Sequence, residues 1–212
     1  LIKICTGQVL PDEGRIIWKR NTTIGYLDQY AEIDASLSMK EFLKTAFVKL
    51  YKMEAEVMEL YEKAASGDMR CLELAASCQE QLEKQDFYSI ETKIERVANG
   101  LGLLAIGLDR HISEMSGGQR AKVILAKLLL EKPDVLLLDE PTNFLDKAHV
   151  AWLAEYLSAL DNAFLVVSHD YDFLDKIANR ICDIDNRTIT KYYGTYSEFL
   201  RKKTMLREDY TR

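Results

Sequence analysis

Residues 115–146 read MSGGQRAKVILAKLLLEKPDVLLLDEPTNFLD. In that order they contain a glycine turn, a helix, an apolar strand ending in two acids, and a proline-led loop. Ser116-Gly117-Gly118-Gln119 puts two glycines where a helix begins, so free backbone N–H groups and the positive end of the helix dipole can face an anion such as a polyphosphate. Ala121 to Leu130 continues as an apolar helix. Val135-Leu136-Leu137-Leu138 is an uninterrupted β-type run, expected as a central parallel strand covered on both faces. Asp139 and Glu140 fall at its C-terminal end, where open α/β sheets place their ligands. Adjacent carboxylates there can divide labour, Asp139 holding Mg²⁺ through oxygen and Glu140 orienting and deprotonating a water. A lone DEP could equally end a strand with polar residues. The SGGQ upstream at this spacing is what favours chemistry.

A second apolar run, Phe164-Leu165-Val166-Val167, is expected to be another buried parallel strand, with Ser168-His169-Asp170 at its tip. Two strand tips of one sheet would then bring Asp139, Glu140 and His169 to a single edge. Asp170 is expected to cap a helix over Tyr171–Ala178.

The whole stretch resembles the signature motif, Walker B and D-loop of an ABC-type ATPase cassette, and PTNFLD resembles the PTNHLD of the ABC-F subfamily, with Phe144 in place of His. ABC-F proteins are soluble, carry two cassettes in one chain and act on ribosomes. The resemblance implies an α/β fold: a P-loop NTPase-like, mostly parallel sheet with an inserted α-helical subdomain or arm. It also implies ATP and Mg²⁺ as cofactors and ATP hydrolysis as the activity. Ser116, Gly117, Gly118, Gln119 and Asp146 become nucleotide-binding residues that act across a dimer of cassettes. Glu140 and His169 become catalytic, His169 as the switch histidine, and Asp139 with the Q-loop Gln29 becomes the metal site.

Family pattern also reads the start of the chain. Leu1 to Thr6 looks like the second half of a helix stopped by Gly7, and Gln8 to Gly14 fits the LxGxxxPxxG that follows a P-loop helix. The phosphate-binding GxxGxGK[ST] would lie just before Leu1, so this stretch alone is expected to hold ATP weakly and to be inactive. Arg15–Trp18 and Thr22–Leu27 are expected as strands.

From Ser38 the pattern changes. Apolar residues from Met39 to Ala65 recur at three- and four-residue steps between Lys and Glu, and Ser38 with Glu41 forms a capping box, which predicts one long amphipathic helix. Met69 to Lys84 is expected to return antiparallel with Leu72, Ala75, Ala76 and Leu82 inward. Ile90, Ile94, Val97 and Leu101 mark a third helix. In ABC-F members this interval is enlarged into an arm that reaches ribosomal RNA or protein; a hairpin merely packed on the cassette is the alternative. His111 and His149 read as structural or surface residues.

Towards the end, Ile181–Ile184 and Thr188–Tyr192 form a hairpin around Asp185-Asn186-Arg187. Tyr193–Leu200 resembles the YxGNYSxFL that enters the linker after a first ABC-F cassette, with Thr195 for Asn. The reading divides the chain into a partial nucleotide-binding core (1–37), a helical subdomain with an arm-like hairpin (38–101), the core with signature, Walker B, D-loop and switch histidine (102–192) and the start of a basic linker helix (193–212).

Composition agrees with these classes. The chain has 212 residues, 48% hydrophobic and 29% charged, with formal charge -6. That supports one α/β domain with an insertion and argues against nonspecific coating of nucleic acid. No run approaches the roughly 18 apolar residues of a membrane span, and no secretory signal is present. Cys5, Cys71, Cys78 and Cys182 lack metal-ligand spacing and read as buried thiols of a cytoplasmic protein. The implied partners are a second ABC cassette and, through the ABC-F resemblance, the ribosome with its rRNA and tRNA, with antibiotic resistance by ribosome protection among the roles the resemblance implies. The alternative is the nucleotide-binding subunit of a membrane ABC transporter; a non-enzymatic interaction module is a third reading.

Overall fold

The computed structural model describes residues 1–27, 33–185 and 188–210, with side chains described through residue 205. The chain divides into two compact units, one of Leu1–Tyr26 with Asp134–Arg212, the other of Leu27–Pro133.

The first unit is α/β. After a short helix α1 (Ile2–Cys5), closed by Gly7 in the left-handed region, comes strand β1 (Ile24–Tyr26). It pairs in parallel with β2 (Val135–Asp139), which pairs in parallel with β3 (Ala163–Val167). Leu136, Leu137 and Leu138 are at most 1% exposed, as an apolar run in a central strand requires. Helix α7 (Lys147–Ser158) makes the crossover from β2 to β3, burying Leu153, Ala154 and Leu157. Then follow α8 (Tyr171–Ile177), the antiparallel pair β4 (Arg180–Asp185) and β5 (Thr188–Tyr193), and α9 (Tyr196–Tyr210).

Three expectations change. Arg15–Trp18 is not a strand: among the described residues it has no ladder partner, Ile17 is exposed, and only the Trp18 indole N–H donates, to the Cys5 carbonyl at 3.3 Å. An apolar, β-prone run still needs a neighbour to become a sheet. Next, β3 is half-buried, because among the described residues it pairs with β2 alone and ends the sheet of order β1-β2-β3. Finally, all four cysteines are free, but only Cys71, which belongs to the other unit, is buried, and Cys182 on β4 is exposed. Asn186 and Arg187, at the expected turn of the hairpin, lie outside the described residues.

One tie escaped the sequence reading. The Asp134 carboxylate accepts from the Thr23 N–H and hydroxyl, both at 2.8 Å, and the Asp134 N–H donates back to the Thr23 hydroxyl at 2.9 Å. These bonds, the Thr23 N–H first, hold the Asp134 carboxyl below its ordinary range and fix the start of β1 against the start of β2.

The second unit is helical. Ser38 caps α2 (Met39–Lys44) in the expected capping box with Glu41. The single long helix expected from 39 to 65 breaks: a 3₁₀ turn at Thr45–Phe47, where the Thr45 hydroxyl donates to the Phe42 carbonyl at 2.6 Å, separates α2 from α3 (Val48–Ala65). Helix α4 (Met69–Lys84) runs back along α3, and α5 (Ile90–Gly100) follows, burying Ile90, Ile94 and Val97. Residues 102–133, which the sequence reading attached to the core, lie in this unit. They carry α6 (Gly117–Glu131), whose Val123, Leu125 and Leu129 join Met39, Leu43 and Ile94 in a core with each residue at most 1% exposed. Side chains of this kind stabilise by roughly 1.5–3 kcal/mol each when buried, which explains why α6 follows its apolar face.

On the outside of this core, Glu91 bridges Lys40 at 2.9 Å and Lys44 at 2.5 Å. Lys44 foremost, then Lys40, holds the Glu91 carboxyl below its ordinary range. A depressed folded pKa contributes stability above the unfolded value, and that contribution is lost as pH falls through the folded value. Because Glu91 is half exposed, the contribution is at most about 1 kcal/mol. Thermal melts of Glu91→Gln should therefore show a small loss of Tm at pH 7 that disappears near pH ~3; a loss of equal size at both would refute the ionic account.

Candidate functional site

The C-terminal ends of β2 and β3 are in register, Asp139 opposite Val167. The chain then turns sharply. Glu140 takes a left-handed φ of 48°, donates its N–H to the Val167 carbonyl at 2.8 Å, and accepts from Asn143 at 3.3 Å. A non-glycine residue held there costs on the order of 1–3 kcal/mol and persists where the surroundings over-determine it, which clusters at functional sites. The turn delivers the Glu140 carboxylate to the tip of β3. One oxygen accepts the His169 N–H at 3.2 Å, and the other lies 3.4 Å from His169 Nε2.

Asp139, Glu140 and His169 thus come together on one edge. Glu140 is 18% exposed and the His169 ring 89% exposed, so a recessed carboxylate stands beside an imidazole open to an incoming group. Beneath them is a pair the sequence reading missed. The Thr142 hydroxyl, in a buried residue, lies 3.4 Å from the Ser168 hydroxyl, which accepts the Asp170 N–H at 3.1 Å. Asp170 caps α8 by accepting from Phe173 at 3.0 Å, as expected. Only the small hydroxyl residues within PTN and SHD could have signalled the Thr142–Ser168 contact.

Asp146 caps α7, its carboxylate accepting the His149 N–H at 3.0 Å. The same oxygen is 2.9 Å from His149 Nδ1, although that nitrogen makes no well-angled hydrogen bond. The short separation matters more here than the angle: His149 is a local partner of Asp146, in keeping with a structural role. His111 is also structural, its Nδ1 lying 2.9 Å from the Ser36 carbonyl.

The glycine turn lies in the helical unit. Ser116 caps α6, accepting the Gln119 N–H at 3.3 Å, and the Gln119 side chain accepts the Ser116 N–H at 3.0 Å. Gln119 is therefore occupied in holding the cap and acts as a positioning residue for it. The first-turn N–H groups of Gly117 and Gly118 point out of the helix end, where helix geometry leaves them without intrahelical acceptors. A Cβ built on Gly117 would meet nothing within 4 Å, and its φ is not in the left-handed region. Nothing in the fold requires glycine there.

Gln29 lies outside the described residues. Among the described residues no group of three or more His, Cys, Asp or Glu side chains could hold a metal ion. A lone strand-tip carboxylate such as Asp139 fits Mg²⁺, which keeps several waters and is commonly bound by one or two carboxylates plus substrate phosphates.

The family model described as ABC transporter matches residues 1–143. An uncharacterized ABC transporter ATP-binding protein, YfmM of Bacillus subtilis (strain 168), is 46% identical over 203 residues, covering 94% of this chain and 39% of its own length. ABC transporter F family member 2 of Arabidopsis thaliana is 34% identical, covering 98% of this chain and 32% of its own. The energy-dependent translational throttle protein EttA of Escherichia coli (strain K12) is 34% identical, covering 96% and 37%. The chain thus spans between about a third and two fifths of the length of these relatives. The solved ATP-binding subunit of an ABC transporter superposes with TM-score 0.65 at 18% identity over 99% of this chain and 80% of its own, which establishes the shared α/β fold. Among the described residues no helix is long and apolar enough to cross a membrane.

Proposed function

This chain belongs to the ABC transporter family of ATP-binding domains, and from that premise we propose that it is part of an ABC-F type ATPase that hydrolyses ATP at an interface between two cassettes to drive a conformational change on the ribosome. The observation that carries the catalytic half is the carboxylate of Glu140, fixed by a left-handed turn and the His169 N–H at the common tip of β2 and β3. In this reading Glu140 accepts a proton from the attacking water and His169, open to solvent, donates a hydrogen bond to the terminal phosphate and holds the water in line. Asp139 would hold Mg²⁺ with Gln29, and the ion offsets phosphate charge when bound.

Ser116, Gly117 and Gly118 serve the other cassette's nucleotide in trans. The N–H groups at the end of α6 suit a phosphate cap, and the open space over Gly117 leaves room for close approach. Asp146, at the start of α7, reaches toward the same interface. ATP joins the cassettes, and loss of the terminal phosphate lets them part.

The ribosomal half is supported by the likeness to EttA and to an F family member, by the NFLD loop and by the helical hairpin α3–α4. It is tested by sedimentation. The complete gene product carrying Glu140→Gln should pellet with ribosomes in ATP and remain in the supernatant in ADP. Failure to pellet in either nucleotide would refute the ribosomal half and return weight to a transporter subunit.

A further inference from the structure

The hairpin α3–α4 buries Val57, Cys71, Ala75 and Leu82 along its seam. Of the four α4 residues expected from the sequence to face inward, Ala75 and Leu82 do so, whereas Leu72 and Ala76 are exposed and Cys71 completes the seam. On α3, likewise, Met58, Tyr61 and Ala65 are left outside. Positions 58, 61 and 65 share one helix face, and so do 69, 72, 76 and 79. The Tyr61 hydroxyl donates across the hairpin to Gln79 Oε1 at 2.6 Å, which puts both stripes on the same side. The outcome is a shallow two-helix face floored by Met58 (58% exposed), Tyr61 (37%), Met69 (68%) and Leu72 (42%).

The unpaired charges around that floor have one sign. Glu54 and Glu62 stand one turn either side of Met58, and Glu83 stands one turn beyond Gln79; none makes an ion pair among the described residues. Glu80, also on this face, pairs with Lys84 at 2.7 Å at its edge. Lys52, Lys63 and Arg70 fall on other faces of their helices.

From this geometry we infer that the face is a docking surface for a cationic, amphipathic segment of a partner protein, and that its occupant is a polypeptide and not RNA. Charge complementarity selects the occupant. A phosphate backbone needs Lys or Arg to neutralise it, and Lys84 at the edge of this face is already paired with Glu80, which leaves only carboxylates unpaired there among the described residues. A helix with Lys or Arg flanking an apolar stripe finds both a floor and a rim, as in helix-in-groove recognition. Two methionines let the floor adapt to the side chains it meets. The inference deepens the reading of the hairpin as a partner-contacting arm, yet it requires neither nucleotide nor ribosome.

The test measures fluorescence anisotropy on the full chain without nucleotide, using a labelled Leu/Lys amphipathic peptide about five turns long, its Leu/Glu counterpart, and a labelled RNA hairpin. The Leu/Lys peptide should bind and the other two should not. Three charge reversals, Glu54→Lys, Glu62→Lys and Glu83→Lys together, should weaken peptide binding at least about tenfold, and Met58→Asp with Leu72→Asp should abolish it. All five side chains lie outside the buried seam, so circular dichroism should show the helices intact. A control triple elsewhere, Glu56→Lys, Glu59→Lys and Glu95→Lys, should leave binding within about twofold. RNA binding as tight as the peptide's, or equal losses in the two triples, would overturn the inference. Neither outcome bears on ATP hydrolysis, so this failure is separable from failure of the proposed enzyme.

Discussion

Replacing Glu140 by glutamine in the complete gene product should slow ATP hydrolysis by about 10²–10⁴-fold, the usual contribution of a positioned general base. Glutamine keeps the length and one oxygen, so it can still accept the His169 N–H that now reaches Glu140 at 3.2 Å. What it removes is the proton acceptor. Single-turnover measurement with excess enzyme isolates the chemical step, and ATP binding measured in parallel should be unchanged. A mutant that turns over at the parent rate would exclude Glu140 as the base. His169→Ala offers an internal comparison: it takes away a hydrogen bond to the phosphate but leaves the proton acceptor in place, so its chemical step should fall while ATP binding persists.

That pair was legible in the sequence because its signals are local. Four apolar residues followed by Asp-Glu-Pro mark a strand tip, and a second apolar run followed by Ser-His-Asp marks another. Parallel pairing of β2 with β3 then brings the tips together without further information. The turn at Glu140 was not legible, since no glycine or asparagine announces a left-handed residue there; the φ of 48° is imposed by the surrounding tip and not by the residue's preference. Thr142 beneath Ser168 was equally silent, because a buried hydroxyl pair looks like any loop threonine and serine.

Where the reading failed, tertiary context outweighed local pattern. Arg15–Trp18 has strand composition but no ladder partner among the described residues. Phe164–Val167 has the apolar content of a central strand but among the described residues pairs on one side only. Helix α6 was assigned to the nucleotide core by its place beside Walker B in the sequence, whereas its buried face packs with α2 and α5. On α4, Ala75 and Leu82 face inward as expected but Leu72 and Ala76 do not, because they are as apolar as Cys71 and the choice between adjacent positions depends on how α3 packs against α4. In that last case the failure is informative: the apolar stripe left outside is the surface that a partner is inferred to cover.

Gly117 should separate stability from activity. Glycine in a helix is less favourable than alanine by up to roughly 1 kcal/mol, the Cβ of an alanine would meet nothing within 4 Å, and no left-handed φ has to be satisfied. Gly117→Ala should therefore leave the melting temperature of this chain unchanged or raise it. Gly117→Asp, whose Cβ would likewise meet nothing within 4 Å, should fold as well, since acidic residues suit the first turn of a helix. In the complete gene product the same Asp sets a carboxylate where the helix end would otherwise receive phosphate oxygens. Turnover should fall on the order of 10²-fold or more, the scale seen when one preorganised donor to a developing oxyanion is lost. Gly117→Ala should fall in between, because a methyl obstructs close approach without adding charge. Activity and stability would then move in different directions along one series at one position, which a purely structural glycine cannot produce. If all three proteins hydrolysed ATP equally, the end of α6 would have no part in binding the nucleotide, and the trans arrangement of the two cassettes would lose its physical basis.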